Sequence, residues 1–328
     1  MLPRYPIYVI SKGRADNCLT AKFLIRDEVP FKLVIEPQEA EAYGRYQEHL
    51  AILPFSNLGL GSIPARNWVW EDSKAAGAER HWILDDNIRQ VHRSYKGKRF
   101  PCASGPAISA LEDFTDRYEN VAISGMNYHM FGVPGSPPFV RNVHVYSFLL
   151  IQNDLPYRWR GRYNEDADLC LQVLSNGWCT LLFNVFLAEK MRTMTMQGGN
   201  SDQLYAGDGR LKMARSLERV WPYVVATQRR FKRPQHVIKN NWRCFDTPLK
   251  RKPGLEIPTE PNEYGLALVQ KADEIKSPVI RRIFEGSGGV PEVREPKQKQ
   301  TKQKSAPKKS GESEGKQFPR NGALPTKA

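Results

Sequence analysis

Two short acidic clusters define the chemistry open to this chain. The apolar run Trp82-Ile83-Leu84 delivers Asp85, Asp86 and Asn87 at its end, two carboxylates and an amide in succession. Hard cations such as Mg²⁺ and Mn²⁺ take one or two carboxylates together with phosphate oxygens, so this edge suits a metal that carries a nucleoside diphosphate. A polar turn with Asp capping the following helix accounts for the same residues without any chemistry. The second cluster, Asn164-Glu165-Asp166-Ala167-Asp168, precedes a helical stretch bearing Leu169, Val173 and Leu174. Carboxylates in a first helical turn are stabilised by the backbone dipole. Three acids in four residues exceed what capping needs, and one of them could serve as general base toward an acceptor hydroxyl.

Basic and glycine-rich segments surround these acids. Gly59-Leu60-Gly61-Ser62 runs into a helix opened by Pro64, which presents Arg66 and Asn67 in its first turns. A helix start binds anions and Arg adds a rigid donor fork, so a phosphate or sugar-nucleotide contact is one reading and a solvated turn the other. The G-x-x-x-x-G-K-[ST] phosphate loop is absent. Ser11-Lys12-Gly13-Arg14 follows the first apolar run, and Glu36 ends the second, where it could accept hydrogen bonds from a nucleoside. Met191 to Asn200 ends in Gly-Gly-Asn and reads as a connection or as a lid over a bound nucleotide. Gln228 to Lys232, with Arg233, His236, Lys239, Trp242 and Arg243, interleaves basic and aromatic side chains. That mixture suits phosphate contact with base stacking, or a solvated basic face.

The elements that must position these residues follow from periodicity. Strand-like runs at 7–10, 32–35, 52–55 and 81–84 alternate with helical stretches at 16–26, 38–48 and 64–76. This rhythm predicts an α/β fold with a mostly parallel, Rossmann-type sheet flanked by helices, in which ligands bind beyond the carboxyl ends of the strands. Further on, a helix is expected over 104–119, strands over 121–124, 143–151 and 179–187, and helices over 165–175 and 209–221.

Length and charge bound the rest. The 328 residues exceed one ordinary domain. The boundaries expected are a catalytic-type domain over 1–250, a C-terminal extension over 251–293 and a disordered basic tail over 294–328, whose Lys/Gln/Ser/Pro composition buries too little apolar surface to order itself. The formal charge is +14, of which the tail supplies +7 from ten Lys/Arg against three Asp/Glu. Such a balance favours an acidic partner: nucleic acid, a nucleotide or a membrane surface. No run approaches the roughly 18 apolar residues of a membrane span, and no secretion signal opens the chain, so a cytoplasmic protein without a membrane partner is expected. The five cysteines contain no C-x-x-C pair, and neither a disulfide framework nor a zinc site is indicated.

Taken in order, Ile10-Ser11-Lys12-Gly13-Arg14, the strand ending at Glu36, the Gly-rich loop with Ala65-Arg66-Asn67, Trp82 to Asn87, and Tyr163 to Leu171 resemble nucleotide-sugar-dependent glycosyltransferases of the GT-A fold, and most of all the TET-associated glycosyltransferases of bacteriophages. The similarity covers roughly residues 5 to 245. It implies a nucleoside diphosphate sugar donor, a UDP-sugar being favoured, and transfer to a hydroxymethylated pyrimidine such as 5-hydroxymethylcytosine in phage DNA, in the host cytoplasm. It implies that Asp85, Asp86 and Asn87 hold the divalent metal, Mn²⁺ or Mg²⁺, and the donor diphosphate, with Asp85 open to the ribose instead. Ser11, Lys12, Arg14, Glu36, Arg66 and Asn67 would line the nucleoside pocket. Asp166, or its neighbour Glu165, would be the acceptor-activating base. The alternatives are a protein, glycan or small-molecule acceptor on the same fold, a catalytically silent nucleic-acid-binding protein, and a metal-dependent nuclease, which lacks its usual carboxylate-x-Lys arrangement.

Overall fold

The computed structural model describes residues 2–56, 60–191, 195–196, 198–199, 209–230, 232–256 and 260–261. Its strands are β1 (Ile7–Ile10), β2 (Lys32–Ile35), β3 (Leu50–Ile52), β4 (Arg80–Asp85), β5 (Ile88–Tyr95), β6 (Lys98–Cys102), β7 (Val121–Tyr128), β8 (Phe139–Arg141), β9 (Phe148–Gln152), β10 (Cys179–Lys190), β11 (Val225–Arg230) and β12 (Arg233–Ile238). The helices are α1 (Leu19–Arg26), α2 (Ile63–Ala75), α3 (Ser104–Thr115), α4 (Glu165–Leu174) and α5 (Gly209–Val220).

Period-two alternation sorts the strands between two cores. Ile7 and Val9 of β1 and Trp82 and Leu84 of β4 enter one apolar cluster, while Tyr8 and Ile83 enter the other. Phe148 and Leu150 of β9 divide from Leu149 and Ile151 in the same way. A sheet buried on both faces results, covered by helices on each, which is why its strands read as near-continuous apolar runs.

The sheet order is β3-β2-β1-β4-β9-β7-β10-β5-β6, with β8 added on β10. The half from β3 to β4 is parallel throughout, in the register Val9↔Leu33 and Val9↔Leu84. β9 runs antiparallel to both β4 and β7, and β7 pairs parallel with β10. The carboxyl ends of β1, β2, β4, β7 and β10 therefore face one way, and the site lies there. A separate hairpin of β11 and β12 packs with α5.

Some elements differ from their sequence expectations. α1 starts at Leu19, not Asp16, and residues 38–48 form 3₁₀ turns. The apolar run 143–151 is strand only from Phe148, because Asn142 and Ser147 take left-handed φ values of 56° and 60° and lift the intervening residues off the sheet. β5 and β6 form an unexpected hairpin around Lys96-Gly97, whose φ values of 47° and 76° both suit a two-residue primed turn. The chain at 248–252 returns to the segment between α3 and β7, where Asn120 Nδ2 donates to the Pro248 carbonyl and Lys252 N to the Arg117 carbonyl. The extension expected over 251–293, from residue 262, and the whole tail over 294–328 lie outside the described residues. Among the described residues no helix is long and apolar enough to cross a membrane.

Candidate functional site

The first loop after β1 is pinned from three sides. Ser11 Oγ donates to Asp86 Oδ2 at 2.8 Å and lies 2.7 Å from the Tyr43 hydroxyl. Lys12 pairs with Glu36 at 2.7 Å, and the Gly13 amide donates to Glu39 at 2.6 Å. Arg14 reaches Asp86 Oδ1 at 2.5 Å with one guanidinium nitrogen and the Gly198 carbonyl at 2.9 Å with another. Ser11, Lys12 and Glu36, with Gly61, Ser62 and Ala65, line a recess of about 30 Å³ at the carboxyl edge of β1 and β2. That volume takes about one water.

Asp85 and Asp86, adjacent in sequence, serve different partners: Asp85 ends β4 and Asp86 begins the turn that follows. Asp86 is 4% exposed and faces the first loop. Burial pushes its pKa up, against the opposing pull of Arg14 and Ser11. Asp85 faces the interior of the sheet edge. Its Oδ2 accepts from Lys190 Nζ and Ser147 Oγ, both at 2.7 Å, and its Oδ1 from Arg66 at 3.1 Å. Burial alone would raise its pKa, but Lys190 and then Arg66 outweigh it and bring it to about 2. Lys190 also touches Ser147 Oγ at 2.6 Å and the Tyr128 hydroxyl at 3.2 Å, and despite burial the Asp85 charge keeps it cationic far above its usual range.

Arg66 links the two acidic clusters. It projects from the first turns of α2, stacks 4.7 Å from the Trp159 ring, and lies 3.4 Å from Glu165 on the other side from Asp85. Glu165 also accepts from Ser62 at 3.0 Å. Burial, reinforced by the Asp166 charge, raises its pKa against Arg66. Asp166 points elsewhere, to His144 Nε2 at 3.3 Å. Burial would raise its pKa too, but His144 and the Ala167 amide reverse the sign and hold it well below the carboxylate range. The third acid, Asp168, is structural: Arg160 at 2.9 Å, Gln172 at 2.8 Å and Trp221 Nε1 at 2.7 Å use its oxygens.

The structure thus brings Asp85, Arg66, Glu165 and Asp166 into one cluster, with Ser11, Lys12, Arg14 and Glu36 along the adjoining loop. Asn67, expected in the nucleoside pocket, is engaged within the protein: its amide donates to the Trp159 carbonyl at 2.9 Å and accepts from the Trp159 amide at 3.1 Å. Both polar ends are spent holding the 159 segment against α2. Four residues that the sequence reading did not single out join the cluster: His144, Ser147, Tyr128 and Lys190. A charged residue ending a long apolar strand, as Lys190 does, was the one available cue. The Gly-rich loop is described from Leu60 only. Of the segment expected as a connection or lid, residues 192–194, 197 and 200 lie outside the described residues, and Gly198 and Gly199 pack on the first loop, the Gly199 amide donating to the Lys12 carbonyl at 2.9 Å.

The donor set for a divalent ion does not match the expectation. Asp85, Asp86 and Asn87 do not converge: all four carboxylate oxygens already take cations or hydroxyls, and Asp86 is buried away from Asp85. Asn87 Oδ1, buried with no partner among the described residues, is one neutral oxygen. Positive charge at this edge comes from Arg66 and Lys190.

The carboxyl edge of a parallel half-sheet, where carboxylates here gather around buried cations, is where open α/β folds bind their ligands. The model of the TET-Associated Glycosyltransferase family matches residues 5–199. The chain belongs to that family, and is a glycosyltransferase. No curated protein matches it. Among solved structures, mannose-1-phosphate geranyltransferase from Thermus thermophilus is 13% identical, with a TM-score of 0.30 over 55% of this chain, which spans 57% of that one. A structure described as a nucleotide-diphospho-sugar transferase from Desulfovibrio desulfuricans is 9% identical, with a TM-score of 0.32 over 56% of this chain and 80% of that one.

Proposed function

We propose that the protein transfers a sugar from a nucleoside diphosphate sugar, a UDP-sugar being favoured, to the hydroxymethyl group of a modified pyrimidine in DNA, 5-hydroxymethylcytosine first among them. The observation that carries this reading is the junction at Arg66, which sets the donor-side carboxylate Asp85 beside the acidic pair of α4. Donor and acceptor chemistry can then meet within one side chain's reach.

In the reaction, the bond from the anomeric carbon to the diphosphate oxygen breaks and its electron pair leaves with the nucleoside diphosphate. Arg66 and Lys190 offset the charge that develops there, fixed cations in a buried setting being effective at this. The acceptor oxygen bonds to the anomeric carbon and its proton passes to Asp166. That hydroxyl turns acidic only as the new bond forms, so a carboxylate of low pKa can take the proton late in the step. Glu165 holds Arg66, and Ser11, Lys12, Arg14 and Glu36 position the nucleoside and its phosphates. A divalent ion riding on the diphosphate would have to draw Asp85 away from Lys190 and Arg66.

The hydroxymethyl group occupies the place of the thymine methyl, which lies in the major groove. The formal charge of +14 favours a polyanionic acceptor. A phage enzyme of this kind works in the host cytoplasm. The test is to supply purified protein with UDP- and GDP-sugars and duplex DNA containing 5-hydroxymethylcytosine or cytosine, then digest the DNA and weigh its nucleosides. A hexose or pentose increment confined to the hydroxymethylated duplex is expected. Sugar release onto a protein or glycan acceptor, with DNA unmodified, would replace the DNA reading by the other acceptor class.

A further inference from the structure

Beside the cluster lies a cavity of about 570 Å³ whose floor includes Lys190 and Tyr128, the groups that reach Asp85 and Ser147 on their other side. One wall is apolar: Met130 and Phe131 are 52% and 54% exposed, and the Phe131 ring lies 5.8 Å from Tyr128. Large apolar side chains left this open beside a polar floor mark a surface made to be covered. β12 and α5 add Arg210, Arg233 and His236 to the lining. Asp166 is near enough to His236 and Tyr128 for its charge to act on both. The β11–β12 hairpin then carries Arg229, Arg230 and Lys232 outward, all exposed.

We infer that this cavity receives the acceptor pyrimidine after it has swung out of the DNA duplex, stacked against Phe131 and Met130, while Arg210, Arg233 and the hairpin arginines hold the flanking phosphates. The inference rests on the DNA-acceptor reading above and adds to it the subsite and the state of the base. Three features point the same way. The volume falls in the range of small-molecule pockets, roughly 300 to 1,000 Å³, and suits one nucleotide, not a duplex. An aromatic and thioether wall accepts any base face, whereas the lining cations recognise backbone phosphate without reading sequence. Lys190, which lines the cavity, bonds Asp85 at 2.7 Å, so an extruded base lodged here lies beside the proposed donor chemistry.

The experiment uses the full chain with UDP and a duplex in which 5-hydroxymethylcytosine is flanked by 2-aminopurine, whose fluorescence is quenched while its neighbour remains stacked. A several-fold rise on binding is expected. Phe131→Ala combined with Met130→Ala, at positions exposed enough to leave folding intact, should abolish the rise and increase the duplex KM about tenfold. UDP affinity by calorimetry and the melting temperature should stay unchanged. Glycosylated duplex without any fluorescence rise would overturn the cavity assignment and leave the glycosyltransferase reading standing. Absence of transfer to every hydroxymethylated DNA would remove that reading, and this inference with it.

Discussion

Arg66 Nη2 stands 3.1 Å from Asp85 Oδ1, joining residues 19 apart in sequence across the carboxyl edge of the sheet while its Nε faces Glu165 at 3.4 Å. Arg66 is 8% exposed, and its guanidinium is shared between two carboxylates. Removing it leaves two poorly solvated acids facing each other, a change that typically costs about 3–5 kcal/mol. Arg66→Met is therefore expected to lower the melting temperature by several degrees and to cut turnover on the order of 100-fold. Arg66→Lys should recover much of the stability and little of the turnover, since one ammonium cannot span both carboxylates. Thermal unfolding and sugar transfer by the two variants check this, and equal recovery of both quantities in Arg66→Lys would sink it.

The cations at this edge lead to a second expectation. Asp85 is engaged by Lys190 and Arg66 and Asp86 by Arg14, and in the proposed reaction side chains meet the leaving-group charge. Sugar transfer should persist in excess EDTA within about threefold, whereas Lys190→Ala should lose about 10²-fold or more. Activity that vanishes with EDTA and returns with Mn²⁺ would show that Asp85 is released to a metal when the donor binds.

Much of this site was legible because charge at the end of a buried strand is costly unless it is used, and Trp82 to Asp86 carries that signature openly. Arg66 was legible as the basic residue of a helix opened by Pro64 after glycines. His144 and Ser147 were not. They sit in a run, Val143 to Ile151, whose apolar pattern matches a strand, and the departure from strand rests on left-handed φ at Asn142 and Ser147, neither a glycine. That local kink lets Ser147 meet Asp85 and His144 meet Asp166. Lys190 is separated from Asp85 by 105 positions, and only the sheet order β4-β9-β7-β10 brings them together. Asn67 read as a ligand for the same reason Arg66 did, position in a helix start, but the next residue round a helix points about 100° away and finds Trp159.

Gly198 tests whether the 198–199 segment shapes the donor site. Its φ is +81°, and a Cβ there would lie 2.3 Å from the Gly13 carbonyl oxygen. Gly198→Ala must push this segment off the first loop and break the Arg14 contact to its carbonyl. The core is untouched, so the melting temperature should fall by only a few degrees, while the KM for the nucleotide sugar rises about tenfold or more. An unchanged KM in steady-state kinetics would separate this segment from donor binding.

The two acids of α4 should behave differently. Asp166→Asn removes the proposed proton acceptor and is expected to lower kcat by about 10²–10⁴ with donor affinity unchanged. Glu165→Gln loosens Arg66 and should raise the donor KM more than it lowers kcat. Because His144 holds the Asp166 pKa below the usual carboxylate range, Asp166 stays ionised throughout mild acid, and kcat should show no acid limb from its protonation between about pH 7 and 5. A limb near pH 5 that disappears in Glu165→Gln would transfer the base role to Glu165, whose pKa burial raises.

Acid should instead be felt in stability, through His81. This ring is fully buried in β4, 2.6 Å from Asn153 Oδ1 by its Nδ1 and edge-on to Trp70 and Tyr8. Burial lowers its pKa from 6.5 to about 4, against the favourable Asn153 contact. Between those values the unfolded chain binds a proton that the folded chain refuses, so stability present above the unfolded pKa is lost as pH falls toward 4. The loss from this group amounts to about 2–3 kcal/mol between neutrality and roughly pH 4.5. Urea unfolding at the two pH values should show that loss in the native protein and a correspondingly smaller one in His81→Gln, whose side chain does not titrate. Equal losses in both would assign the acid sensitivity to other groups, the carboxylates paired with Arg66 and Lys190 foremost.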